Sequence, residues 1–443
     1  MLRFNKNTIL LASTAVAAIM VAETATAGGF ALREQSSYYQ GMSFAGNATS
    51  GPSISSMFWN PAAITGAKDG LTVEAHNSLI VPNSDVSGTF TPGTMATING
   101  YSSSTVPGGD IGLDAWIPAS YAAYRLNDQL VFGIGINAPY GLSTKPKSSN
   151  WAGQLYSRSS EVFSVNVNPT IAYQVNDMIS FGLGLQVQYI HVRLKGGYVF
   201  STTGQSSEVK GDDIGFGVTA GLTFKPFQGT EIGLGFRSTV SHDLEGSFAN
   251  PSGRVFVAGT GLVNFGASKV DVTGSVNMPE TVTLSAKQDI TDDLRVLGTV
   301  EWANWSRIGT IHLSSDQTTT NPTDVPDLEF NYEDGWFFAL GAEYDWSDHL
   351  TLRAGAAYEL SPIDTDIRST RLPDNDRIWL SAGFSYQPME NLSLDLGYSY
   401  IFIQDTDIKI VDGHQDYRSA IGTFVGEADA NVNILSASMR YTF

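Results

Sequence analysis

The residues that could do chemistry here are six histidines, 44 acidic and 25 basic side chains, with no cysteine at all. Without cysteine there is neither a disulfide nor a thiolate metal site. The histidines fall in no HExxH spacing, and no serine stands in a nucleophile elbow. The expectation is therefore no enzyme, no cofactor and no metal. A formal charge of −19 argues against a partner built of phosphates, so no nucleic acid is expected. Most of the acidity lies in turns and loops, where a solvated surface accounts for it. What remains is binding chemistry: ion pairs between facing strands, and cations or donors beside apolar positions that could hold an amphipathic molecule.

The elements that must position such groups are strands. The only continuous apolar run is at the extreme N-terminus, and a membrane helix needs about 20 apolar residues in a row. That run belongs to an expected secretory signal peptide over residues 1–27. Arg3 and Lys6 give it a charged start, Ile9 to Val21 an apolar middle, and Ala25-Thr26-Ala27 a small-residue cleavage site. Residues 28–69 follow, rich in Gly, Ser and Ala and without helix or strand periodicity. Such a stretch cannot bury a core of its own but can fill a narrow lumen.

From residue 70 onward, period-2 alternation takes over. Leu392, Leu394, Leu396, Tyr398 and Tyr400 share one face, while Ser393, Asp395, Gly397 and Ser399 share the other. The chain closes on a strand with Leu435, Ala437, Met439, Tyr441 and Phe443 on one side. Six short turns, among them Asn127-Asp128, Asn176-Asp177 and Pro388 to Asn391, alternate with seven longer polar stretches. Thirteen connections give fourteen strands. The fold expected is all-β: a 14-stranded antiparallel transmembrane β-barrel over residues 70–443, with the N-terminal hatch inside its lumen. Short turns would face the periplasm and long loops the outside of a bacterial outer membrane.

On that frame Glu343, Arg353, Asp395 and Arg440 fall near the short-turn rim of neighbouring strands, and Glu359 and Arg377 higher but level with each other. Opposite charges at equal height predict cross-strand ion pairs, reaching the hatch through Arg33 and Glu34. A general diffusion porin is a rival reading, although a hatch of some forty residues would obstruct flow. An adhesin or phage-receptor role, carried by the long loops, could coexist with transport.

Several stretches resemble the FadL family of outer-membrane channels for long-chain fatty acids and other hydrophobic compounds. They are the hatch ending in Asn60-Pro61-Ala62, the pair Asn127-Asp128-Gln129 and Tyr140-Gly141-Leu142, Asn304-Trp305-Ser306, and Leu372 to Gly383. The resemblance spans the whole mature chain. It implies capture at the outer loops, transfer to an apolar pocket near the hatch, and lateral release through a kink in the third strand, against which the Asn-Pro-Ala turn packs. Gly133 and Gly135 are the kink candidates, or else they ease barrel curvature.

The family's basic ligand positions fall here on His191 and His312. If Ile190, Val192 and Leu194 face lipid, then Tyr189, His191 and Arg193 face inward. If Ile311 and Leu313 face lipid, so does His312 face the lumen, with a bulge expected after Trp302. Unperturbed histidine is largely neutral at pH 7, so Arg193 would be the permanent charge, and the histidines either hold a carboxylate or fill a wet lumen. Trp151, Leu155 and Arg158 would belong to an outer capture groove. The resemblance further implies a monomer, in contact with outer-membrane lipid and lipopolysaccharide, carrying fatty acids or, alternatively, aromatic or alkane hydrocarbons.

Overall fold

The computed structural model describes residues 29–201, 204–316 and 327–443, so the expected signal peptide lies outside the described residues. Fourteen antiparallel strands close into a ring. In order these are β1 (Gly70–Pro92), β2 (Ala115–Arg125), β3 (Leu130–Asn137, resuming at Gly141–Thr144), β4 (Ser159–Gln174), β5 (Ile179–Gly197), β6 (Ser206–Phe227) and β7 (Thr230–Arg237, resuming at Val240–Asn250). Then come β8 (Ser268–Met278, resuming at Thr281–Asp289), β9 (Leu294–Ala303), β10 (Gly335–Ser347), β11 (Leu350–Leu360), β12 (Arg377–Met389), β13 (Leu392–Ile403) and β14 (Gly422–Thr442). Each strand pairs with its neighbour, and β14 returns to β1 along a ladder from Thr72↔Thr442 to Pro92↔Gly422, which closes the ring.

Alternation sets the two faces of this wall. Leu183, Leu185, Phe216 and Leu340 point outward and are 57–70 % exposed, as the alternation of a lipid-facing wall requires. Strands β4 to β8 rise at the long-loop end, where they wall one side of a cavity.

Residues 29–69 are buried almost throughout and touch strands all round the ring. Ser43 Oγ meets Ser381 on β12 at 2.8 Å, the Gly46 amide donates to Thr299 on β9 at 2.8 Å, and the Ser50 amide donates to Glu231 on β7 at 2.6 Å. Short helical turns at Ser37–Gln40, Ile54–Phe58 and Pro61–Gly66 are capped by the side chains of Ser36, Ser53 and Asn60. Wall glycines let this segment sit against bare backbone. A Cβ on Gly182 would strike Pro61 and Ala62, and one on Gly221 would overlap the Asn60 carboxamide. The Asn60-Pro61-Ala62 turn is thus seated on β5 and β6 and does not lie against an interruption in the third strand.

Candidate functional site

The third strand is interrupted, at a different place from the one the glycines pointed to. Through Gly133 and Gly135 the ladder is unbroken: β3 pairs with β2 from Val131↔Arg125 to Ile136↔Ser120, and with β4 from Leu130↔Tyr173 to Asn137↔Asn166. Gly133 faces Ile64 and Met57 of the hatch, and Gly135 gives room to the Tyr121 ring. The strand stops at Ala138, Pro139 and Tyr140, because Pro139 has no amide to give a ladder. The next contact between the second and third strands is the single bridge Gly112↔Thr144. Among the described residues, 115–119 of β2 therefore pair with β1 on one side and with no strand on the other.

The start of the hatch fills that interruption. The Leu32 amide donates to the Pro139 carbonyl at 2.8 Å, and the Gly141 amide to the Phe30 carbonyl at 2.9 Å. Gln35 Nε2 donates to the Ala138 carbonyl at 2.7 Å, and Ser164 Oγ on β4 takes the Tyr140 amide at 2.8 Å. Phe30, Tyr140 and Trp305 meet edge to face, with Phe30 and Trp305 ring centres 4.9 Å apart. Asp374 anchors the other side: its Oδ2 accepts from the Gly29 amide at 3.2 Å while its Oδ1 pairs with Arg377. The stretches Tyr140-Gly141-Leu142, Asn304-Trp305-Ser306 and Leu372 to Arg377 thus converge on one small region.

Above it lies a cavity of about 300 Å³. Its walls are Val162, Ile190, Val192, Leu194, Val276 and Met278 from the raised strands, and Ile308, Ile311, Leu313 and Leu372 from the loops, with Phe30 at its base. This reverses the expected phase of β5. The strand runs without a bulge from Phe181 to Leu194, so the outward set that begins Phe181, Leu183, Leu185 continues as Tyr189, His191 and Arg193. Tyr189 rests on Phe163 of β4 with ring centres 6.4 Å apart, and Arg193 pairs with Glu161 directly across the outer surface. The inward set begins Gln186, Gln188 and becomes Ile190, Val192, Leu194. Above the lipid band the wall is polar outside and apolar inside, and the sequence expectation of greasy-means-outward fails there.

His312 shows the same inversion. β9 ends at Ala303, a short turn over Trp305–Arg307 follows, and the two-residue strand Thr310–Ile311 lies against Leu328–Glu329 across the cavity mouth. Ile311 and Leu313 point into the cavity, whereas the His312 side chain is 76 % exposed and meets Asp327 at 2.9 Å. Among the other loop candidates, Leu155 lines the cavity. Trp151 is fully buried against Phe424, its indole N–H donating to the Ser157 carbonyl at 2.9 Å. Arg158 is engaged by Gln154, Gly204 and Ser206. Neither of these two reaches the cavity.

A cation missing from the sequence expectation does line it. Arg371 stands next to Leu372, its Nη1 donating to the Lys195 carbonyl at 3.0 Å. Burial pulls this guanidinium below its ordinary pKa, although guanidinium stays charged at neutral pH. The one signal was its type: a basic residue abutting the Leu-Pro-Asp stretch in a loop otherwise rich in carboxylates.

The charges at the short-turn end pair across strands. Glu343 stands opposite Arg353 in register and bonds to it at 2.7 Å; Arg353 lies 3.9 Å from Asp395. Arg440 faces Glu74 at 3.4 Å, and Arg377 faces Glu359 at 3.9 Å. The link to the hatch runs through Arg33, which holds Glu301 at 2.6 Å and Glu359 at 3.0 Å, and through Tyr38, whose hydroxyl donates to Glu343. Glu34 contributes its backbone carbonyl, accepting from Ser78 at 3.4 Å, while its Oε2 is buried with no partner among the described residues.

Comparison with known proteins gives three concordant findings. Residues 18–443 match the family described as outer membrane protein transport protein (OMPP1/FadL/TodX). The long-chain fatty acid transport protein of Escherichia coli O6:H1 is 27% identical over 457 residues, 97% of each chain, and outer membrane protein P1 of Haemophilus influenzae strain Rd is 27% identical over the full length of both. A Pseudomonas aeruginosa FadL homologue superposes with a TM-score of 0.79 at 22% identity, covering 94% of this chain and 100% of that one. The Pseudomonas putida toluene transporter TodX does so at 0.65 and 16% identity, covering 91% and 97%. At these identities the two structures speak for the fold alone.

Proposed function

We propose, from the premise that this chain belongs to the OMPP1/FadL/TodX family of outer-membrane transport proteins, that it takes up long-chain hydrophobic molecules, fatty acids foremost. It works as a monomer set in outer-membrane lipid and lipopolysaccharide, with residues 28–69 as a plug. The observation that carries this reading is one peptide unit. Phe30 forms the base of the apolar cavity, and its own carbonyl is bonded to Gly141 at the interruption of β3. A ligand that fills the cavity must press on Phe30, and moving Phe30 releases the seam it closes. Residues 115–119 of β2, unpaired on that side, then face the opening.

An exit into the wall keeps an apolar chain out of water at every stage, which matters because the hydrophobic cost grows with exposed area. The strands around the cavity bury their apolar side chains inward, so the ligand replaces water there instead of protein contacts. Hydrocarbons are the second reading, favoured by the apolar run of Val162, Val192, Val276, Met278 and Ile308 along the cavity wall.

The test uses the purified full-length barrel in detergent and in proteoliposomes. Saturable binding of oleate, with displacement by other long-chain acids and uptake that stops when Phe30 is cross-linked to Tyr140, is the expected result. Free conduction of small ions with no saturable binding of oleate or toluene would replace this reading with a general porin.

A further inference from the structure

One cavity cation is left over by the ion-pair networks. Arg418 has Glu329 at 3.5 Å, and Lys210 shares the outer face with Arg193, which stands opposite it in register. Arg371 has no carboxylate within ion-pair distance among the described residues, and its Nη1 bond goes to a backbone carbonyl. Two hydroxyls lining the same cavity are orphaned as well: Ser160 Oγ and Thr370 Oγ1 are buried, each residue 1% exposed, with no hydrogen-bond partner among the described residues. A buried donor without an acceptor is costly, and two of them beside a guanidinium that has no carboxylate partner ask for an anion.

We infer that Arg371, Ser160 and Thr370 form the docking site for the carboxylate of an amphipathic long-chain acid, head towards the outer loops and tail towards Phe30. The inference rests on the cavity being the ligand pocket. The three residues are held together by backbone. The Arg371 carbonyl accepts from Thr144 Oγ1 at 2.9 Å, and Thr144 stands opposite Ser160 in the β3–β4 register. Nη1 is fixed on Lys195, one residue from Leu194, which is the β5 partner of Ser160. Both ends of Arg371 are therefore tied within a residue or so of Ser160. Nη2 lies over Gly196, where a Cβ would come within 3.3 Å of it.

A planar guanidinium with free donors, flanked by two hydroxyls, matches the several lone pairs of a carboxylate, which a neutral hydrocarbon would leave unanswered. Asp416 also lines the cavity; burial pushes its carboxyl towards the protonated form, which reduces repulsion of an incoming anion. The orientation follows from β4. Ser160 lies four residues above Ser164, the residue that holds Tyr140, and four residues of strand span about 13 Å. A tail leaving the head site thus runs along Val162 to Phe30, and the methyl end reaches the interruption of β3 first.

The experiment compares two probes on the full-length protein in detergent: oleate, and oleyl alcohol, which has the same tail and no charge. Arg371→Met is expected to weaken oleate about 10- to 100-fold and oleyl alcohol by less than about twofold, with Arg371→Lys recovering part of the oleate affinity. Equal losses for both probes, or no loss for either, overturn the docking site. Should Arg371→Met fail to fold, Ser160→Ala with Thr370→Val carries the same test, with about a tenfold selective loss expected. Val276→Trp fills the cavity and is expected to remove binding of both probes. If it leaves both intact, the pocket reading itself falls; if it removes both while the Arg371 variants discriminate nothing, only the docking site falls.

Discussion

The lower and upper halves of the wall follow opposite rules, although the same strands build both. Near the short turns the outside is apolar and the lumen polar: Leu183 and Leu340 face out, while Glu343, Arg353, Asp395 and Arg440 face in and pair with one another and with Glu74. Near the long loops the outside is polar and the lumen apolar, with Arg193 and Glu161 outside and Val192 and Val162 inside. β5 passes through both regimes without a register slip. Alternation states which residues share a face, and only height decides which face is wet. The lower half is a clamp, and the upper half is a container.

The comparison can be broken most forcefully at the clamp. Arg353→Met leaves Asp395 buried without its cation and Glu343 with Arg295 alone, 3.2 Å away, and we expect a loss of about 3–5 kcal/mol in urea unfolding from detergent. A drop well under that range would mean that water reaches the rim and screens these charges. The next effect separates height from face. Leu183→Arg, low on the outer surface, should cost about 2–4 kcal/mol of folding into bilayers, whereas Tyr189→Arg on the same face but higher should cost about 0–1. Equal costs would contradict the polarity reversal along β5. In the container, Val192→Asp should weaken a long-chain ligand by about tenfold or more, because a charge is placed where an apolar chain must lie. Smallest of all, His191→Gln and His312→Gln should leave oleate affinity within about twofold at pH 6 and at pH 8, since both rings point away from the cavity. A pH-dependent loss in either variant would restore them as ligand residues.

Much of this was legible in the sequence, for reasons that differ by region. The fourteen strands were countable because tight turns have their own chemistry at Asn127-Asp128 and Asn176-Asp177, where each Asn side chain caps the backbone two or three residues on. The clamp was legible because opposite charges at equal heights on adjacent strands can hardly avoid each other, as Glu343↔Arg353 and Glu359↔Arg377 illustrate.

The cavity face of β5 was not, since Ile190 and Val192 look the same whether they meet lipid or a cavity. Carrying the phase upward from Phe181 would have resolved it. The interruption of β3 was sought at glycine, yet Gly133 and Gly135 serve close packing and Pro139, which cannot donate, ends the ladder. Arg371 was missed because its role depends on what it lacks, and a missing partner leaves no mark on a sequence.

The position of the plug has a consequence for biosynthesis. Residues 29–69 are made before any wall strand, yet Ser43 rests on Ser381 of β12 and Gly41 lies against Gly383, more than three hundred residues later. The ring closes where β1 meets β14, between the first strand and the last. A ring closed by its first and last strands around residues 29–69 depends on contacts of long sequence separation, which form slowly. Residues 29–69 seat tightly on bare wall glycines, so a variant of that segment that fits badly should show itself first as a barrel that fails to close.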